Sequence, residues 1–190
     1  MKNQLLLLGS ILFTTGTTFA QCADESNVHS FTFEGTTYEL VKENKKWSEA
    51  ATCALERGGT LARIETEEEN TALFEAISTF DVVPGETIAA DGGGGAYLWL
   101  GGTDQFEEGR WIWDVNNDNT GDQFWLGAAD GMPIGGLYNN WGDEPDDFGG
   151  QDGLAMSVSG WPLGVASQWN DVASANALYY FIELDDTGSG

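Results

Sequence analysis

Residues 139–152 read NNWGDEPDDFGGQD and hold five carboxylates with no Lys, Arg or His among them. Two further segments carry oxygen donors of the same kind. QWND sets Asn170 and Asp171 directly after Trp169, and TDQFEEG brings Asp104 and Glu108. A hard cation such as calcium takes six to eight oxygens and mixes carboxylates, amides and backbone carbonyls. Pro145, between Glu144 and Asp146, can fix the loop so that both side chains face one point, and a cis bond there would be a built-in feature of the turn. The competing reading of the same residues is an acidic surface of ordinary solvated charges.

Other chemistries fit less well. The single His29 excludes a multi-histidine metal site, and with only Cys22 and Cys53 a structural zinc site has too few ligands. A glycosidase needs two carboxylates at a set separation across the sugar, one of them with a raised pKa. Nothing in the sequence marks such an acid, and the expectation is a protein that is not an enzyme. The chain has 31 acidic against 7 basic residues, a formal charge of -24. That balance argues against nucleic acid or an anionic membrane surface as partner. It suits cation binding or a surface that stays soluble in salt.

The elements that must position these groups follow from periodicity. MKNQLLLLGSILFTTGTTFA has one Lys, a largely apolar run from Leu5 to Phe13 and small residues at its end, which reads as a signal peptide over 1–20. The run is too short for a comfortable membrane span, so no membrane insertion is expected. The expected location is extracellular, or periplasmic. FTFEGTTYEL alternates around a Gly-containing turn and predicts a hairpin. Trp47, Ala50, Ala51 and Ala54 recur as one face of a helix, stopped by Gly58 and Gly59. TLARI is a short strand or an extended link. Thr66 with Glu69 three residues on is a capping box, opening a second helix whose apolar face carries Leu73, Phe74 and Ile77. DGGGG at 91–95 reads as a flexible loop, YLWLGG as a buried strand and LYYFIEL as a closing strand. Between about 101 and 168 regular runs are few. The aromatics of RWIWD, FWLG, YNNW and GWP argue that this long stretch is ordered. Two cysteines in an exported chain allow one intramolecular bridge, but spacing alone does not show that they meet.

Taken in order, these segments resemble the C-type lectin domain. WSEAATCALERGGTLARIETEEEN is similar to its two-helix stretch, and YLWLGGTDQFEEGRWIWD to its central strand and the start of its long loop. YNNWGDEPDD resembles its calcium loop, QWND its second ligand segment and YYFIEL its last strand. FWLGAADGMPIGGLYNNW is similar to a longer loop found in bacterial members. The resemblance implies an α+β, C-type lectin-like fold over 21–185, with two helices, small antiparallel sheets and a long calcium-binding loop region, followed by a polar tail at 186–190. It implies Ca2+ as cofactor and carbohydrate, of mannose or galactose type, as partner. Glu144, Asp146, Asn170 and Asp171 would hold the calcium that touches sugar, with Asp152, or Gln151 in its place, completing the shell. A second calcium would use Asp104, Glu108 and Asp147, again with Asp152. The alternative on the same fold is a non-sugar domain, binding protein or ice, with calcium in a structural role.

Two departures matter. The family's closing strand usually carries a Cys that pairs with the Cys of the first helix. Ile182 stands there, and Cys22 is inferred to replace it as partner of Cys53. The other is Asp146, where the Glu-Pro form of the family has Asn. Two neighbouring sugar hydroxyls would each coordinate calcium, donate to a carboxylate and accept from an amide. Glu144, Asp146 and Asn170 are thus the expected sugar contacts, and only Asn170 offers an amide donor. One hydroxyl would lack a donor. Trp161 is read either as an aromatic contact for the sugar or as core.

Overall fold

A computed structural model describes residues 22–185. The signal-peptide reading of 1–20 and the tail at 186–190 lie outside the described residues. Twelve regular elements matter here. β1 (Val28–Phe33) and β2 (Thr36–Lys45) form the expected hairpin, turning at Glu34 and Gly35, both with positive φ. α1 (Trp47–Glu56) follows and buries the expected face, with Trp47, Ala50, Ala51 and Ala54 inaccessible to solvent. β3 (Gly59–Leu61) is a short strand and not a link.

α2 (Glu67–Thr79) begins at Thr66, whose hydroxyl accepts from the Glu69 backbone N–H at 3.1 Å. The return half of the capping box is displaced. Glu69 accepts instead from the Glu65 N–H at 2.7 Å and from the Tyr38 hydroxyl at 2.7 Å, so one buried carboxylate ties the helix start to β2. Leu73 and Ile77 are buried and Phe74 partly so.

β4 (Tyr97–Thr103) is buried throughout, and β10 (Leu178–Leu184) nearly so. Their side chains alternate between two cores, as strand geometry requires. Leu98, Leu100, Tyr179 and Phe181 pack on the α2 side with Trp111, Trp113, Trp141 and Trp169. Tyr97, Trp99, Tyr180 and Ile182 pack on the α1 side with Trp47 and Cys53. The sheet departs from the expectation of small antiparallel units. Its ten strands are one connected network, and β10 runs parallel to β4 in the pairing Tyr179 with Leu98.

The stretch from 101 to 168 is more regular than its sequence suggests. It contains β5 (Arg110–Trp113), β6 (Gln123–Leu126), β7 (Met132–Pro133) and β8 (Gly153–Ser157). β9 (Trp169–Val172) then pairs with β8 and carries QWND's last three residues into the sheet.

Cys22 and Cys53 form a disulfide with Cα atoms 5.4 Å apart. Ile182 is fully buried in the same core as Cys53, so apolar packing fills the place where the resemblance puts a cysteine. No helix among the described residues is long and apolar enough to cross a membrane.

The bridge closes a loop of 31 residues. In the chain-entropy view this stabilises by about 2–4 kcal/mol through the unfolded state. The denatured, unreduced protein is expected to show no free thiol. The paired Cys22→Ser and Cys53→Ser variant should lose stability of that order in urea unfolding. Two thiols titrated in the unreduced wild type would contradict the bridge.

Candidate metal centre

Two clusters of acids form at the end of β4 and along the loop before β8. In the first, carboxylate oxygens of Glu144, Asp146 and Asp171 lie within 4.8 Å of one another. The Glu144–Pro145 peptide bond is cis. Asp171, on β9, accepts from the backbone N–H groups of Asp146 at 3.1 Å and Asp147 at 2.9 Å, which fixes the loop against the strand. Asn170, its neighbour on β9, is buried. Its amide donates one N–H to the Tyr97 hydroxyl at 3.0 Å, and that hydroxyl donates to the Gly92 carbonyl at 2.6 Å.

The donor set fits a hard cation. Glu144 Oε2 and Asn170 Oδ1 are buried without a hydrogen-bond partner. A buried acceptor left unpaired costs about 1–3 kcal/mol, more when charged. Both belong to residues of one cluster, and no described ion pair involves Glu144, Asp146 or Asp171. Calcium would satisfy all of these oxygens together. Asp171, Glu144, Asp146 and Asn170 are the residues that would hold it.

In the second cluster Asp104, Glu108 and Asp152 converge within the same 4.8 Å limit. Asp104 is only 2% exposed, and its Oδ1 has no partner, while Oδ2 accepts from the Gly109 N–H at 2.8 Å. A second cation fits here too. Asp152 belongs to this group and is not among the three acids of the first. Asp147 is in neither group of three, but its charge helps to raise the carboxyl of Asp152 in the second. It has positive φ, and its Oδ1 accepts from the Gln151 N–H at 3.0 Å, shaping the loop. Gln151 is buried, and its side chain is engaged by the loops: its amide oxygen accepts from the Phe148 N–H at 2.8 Å, and its amide nitrogen donates to the Asp91 carbonyl at 3.2 Å.

The glycine loop at 91–95 is packed, not flexible. The Asp91 carboxylate accepts from the Ala173 N–H at 2.7 Å and the Asn176 amide at 2.6 Å. A Cβ at Gly92 would lie 3.1 Å from Asn170 Nδ2 and 2.7 Å from Val172. Gly92 therefore lets the backbone press against the amide that serves the first cluster. Only the close approach, invisible in one dimension, distinguishes this from a linker.

Trp161 borders the first cluster. Its indole N–H donates to Glu144 Oε1 at 3.2 Å, and its ring packs edge-on against Tyr97 at 5.8 Å. A cavity of about 270 Å³ opens between Trp161, Pro162, Phe148, Gln151, Asp146 and Glu144. Trp161 is thus a wall of the site and only partly buried, whereas Trp111, Trp113, Trp141 and Trp169 are core.

Electrostatics agree with the geometry. Burial, then the nearby charges of Asp171 and Asp146, pushes the Glu144 carboxyl up to about 8, against the lowering pull of the Trp161 N–H. Burial and the charges of Glu108 and Asp152 push Asp104 up to about 8, opposed by the Gly109 N–H. Burial raises Asp171 to about 6, opposed by the backbone N–H groups that it accepts from.

A fold with two cores around a mixed sheet, and paired acid clusters on its loops, defines the class. The family model described as the lectin C-type domain matches residues 43–182. The chain belongs to the C-type lectin family. It is 26% identical over 159 residues to mouse C-type lectin domain family 4 member F, covering 82% of this chain and 22% of that protein. The chain thus spans about a fifth of the length of that relative. Its fold superposes on the human scavenger receptor C-type lectin carbohydrate-recognition domain with a TM-score of 0.58 at 22% identity, covering 83% of this chain and 96% of the other. It also superposes on a Ca2+-dependent type II antifreeze protein in its Ca2+-free form with a TM-score of 0.56 at 20% identity, covering 82% and 97%.

The raised acids give a signed expectation. A carboxylate whose folded pKa lies above its unfolded value stabilises at low pH, and that contribution is lost as pH rises through the folded value. For Glu144 and Asp104 the window runs from the ordinary carboxylate range up to about 8. Calcium needs the deprotonated forms, so it should compete better as pH rises. In chelator, these acids should weaken the fold between about pH 5 and pH 8. Added calcium should raise Tm at both, and by more near pH 8. At one hundred times Kd, ligand linkage is worth about 2.7 kcal/mol. Thermal melts with and without calcium check this, and equal increments at the two pH values would contradict it.

Proposed function

We propose that the chain is a secreted, calcium-dependent carbohydrate-binding protein, exported to the extracellular space or the periplasm. Its site is the cluster of Glu144, Asp146, Asn170 and Asp171. The observation that carries this reading is the pair of unpartnered buried oxygens, Glu144 Oε2 and Asn170 Oδ1, in a cluster that borders a cavity of about 270 Å³.

When bound, calcium supplies direct coordination for two neighbouring hydroxyls of the sugar. The chain supplies the rest. Glu144 and Asp146 accept hydroxyl protons. Asn170 has two amide N–H groups, and since Tyr97 takes one, the other is free to donate to a hydroxyl. Asp171 is fully buried and turned to the loop backbone, so its role is to hold the cation and the loop and not to touch sugar. The second cluster, Asp104, Glu108 and Asp152, holds a second calcium that braces the loop from below. The sugar is of mannose or galactose type, in which neighbouring ring hydroxyls can reach one ion together.

A second reading, a protein- or ice-binding domain with structural calcium, is favoured by one feature. Phe106 and Phe148, on the two acidic loops, are 69% and 72% exposed. Aromatic side chains are enriched at protein interfaces relative to the rest of the surface.

A glycan array run in calcium and again in chelator separates the two. Binding confined to the calcium arm, and lost in Asn170→Asp with the fold retained, is the expected result. That substitution removes the only amide donor of the cluster. Retention of glycan binding in chelator, or by Asn170→Asp, would overturn the proposal. Binding to no glycan, with calcium still taken up, would leave the second reading in its place.

A further inference from the structure

We propose that the indole N–H of Trp161 supplies the hydrogen-bond donor that Asp146 cannot, which makes Trp161 a specificity-determining residue of the sugar site. The inference rests on the reading of that site as one for sugar.

A hydroxyl that coordinates a cation and gives its proton to a carboxylate still has a lone pair to satisfy. Two such hydroxyls need two donors. Asn170 serves one. At the other position the chain has Asp146, a carboxylate that only accepts, and whose Oδ1 already accepts from the Phe148 N–H at 3.0 Å. Left there, the second hydroxyl would be short of a donor inside a partly closed cavity.

Trp161 is placed to fill that gap. Its Nε1 lies 3.2 Å from Glu144 Oε1, the carboxylate against which the second hydroxyl would rest. Charge-assisted bonds are usually about 2.7–2.9 Å. A contact this long leaves the indole N–H easily shared. A hydroxyl arriving beside Glu144 can give its proton to Oε1 and take the indole N–H on its own oxygen. An indole only donates, so the polarity it imposes is the one an amide would have imposed.

The donor is held in place by packing, independently of Glu144. The backbone of Trp161 exchanges hydrogen bonds with Gly164 at 3.0 and 3.3 Å, closing a tight turn. A Cβ at Gly164 would fall 2.1 Å from the indole, and one at Gly142 would fall 2.7 Å from it. The two glycines are the floor on which the ring lies, and Tyr97 meets it edge-on. A donor fixed before the ligand arrives costs little to order.

The test is a double-mutant cycle. Calorimetry with methyl α-mannoside and methyl β-galactoside, at saturating calcium, would compare the wild type, Trp161→Phe, Asp146→Asn and the two changes together. Phe removes the N–H together with the part of the indole that lies against Gly142 and Gly164, so rescue by an amide at 146, and not the loss alone, reports the hydrogen bond. Trp161→Phe should lower affinity for the preferred glycoside about three- to tenfold, the worth of one hydrogen bond. Asp146→Asn alone changes a calcium and sugar contact in its own right, so it serves as the reference arm against which its effect in the Trp161→Phe background is read. In the Trp161→Phe background the same change should restore most of the loss. A purely structural role for Trp161 would not be rescued by an amide at 146. Equal binding by Trp161→Phe and wild type overturns the donor role while leaving the lectin reading intact. So does an Asp146→Asn gain of the same size in both backgrounds. A wild type that takes up calcium and binds neither glycoside overturns both.

Discussion

Everything around the site answers to one constraint, the repulsion among carboxylates that burial brings together without a cationic side chain. Two charges a few ångströms apart interact far more strongly once water is excluded. Glu144 and Asp171 are nearly or fully buried, and Asp146 joins them at the cavity rim. The chain tolerates this because its backbone does part of the work. N–H groups of the 146–147 turn point at Asp171, and Trp161 points at Glu144. What these donors leave over, three orphaned buried oxygens in two clusters, is an acceptor set that suits a hard cation.

Such a site needs a rigid frame, since a loose one would relax and let the acids swing into water. The frame is β9. Its Trp169 is locked in the first core, where its indole donates to Asn70 on α2 at 2.8 Å and its ring meets Trp113, Phe124 and Trp141 edge-on. The next two residues, Asn170 and Asp171, then have no freedom of their own. Strand pairing with β8 sets their register, and Tyr97 on β4 sets the Asn170 amide. Aromatic packing on one side of the sheet is thereby converted into fixed oxygen positions at its edge.

Much of this was legible in the order of residues. The hairpin, both helices and the buried central and closing strands follow from periodicity, because each buries a stripe wide enough to repeat. The first cluster was legible in Glu144, Asp146, Asn170 and Asp171, since short motifs kept their order along the chain. Strands β5 to β8 were not. They are two to five residues long and sit among Gly, Asn and Asp, so pairing with β4, with β9 and with one another decides them, not local preference. The packed state of Gly92 and the sharing of acids between clusters, with Asp152 beside Asp104 and Gln151 turned to the backbone, depend on contacts between segments distant in sequence. The place of Trp161 was one of two readings, and the glycines that decide it, 142 and 164, look like ordinary loop residues until the ring is laid over them.

The position of that ring has a spectroscopic consequence. The chain has eight tryptophans, and seven of them are buried in the two cores. Buried indoles emit at shorter wavelength than those that meet water, so the red edge of the intrinsic emission belongs to Trp161. A carboxylate next to an indole N–H also perturbs its excited state, and Glu144 is that carboxylate. The molecule therefore carries an unlabelled optical reporter at the mouth of its own cavity, read at the red edge where the seven core rings contribute least.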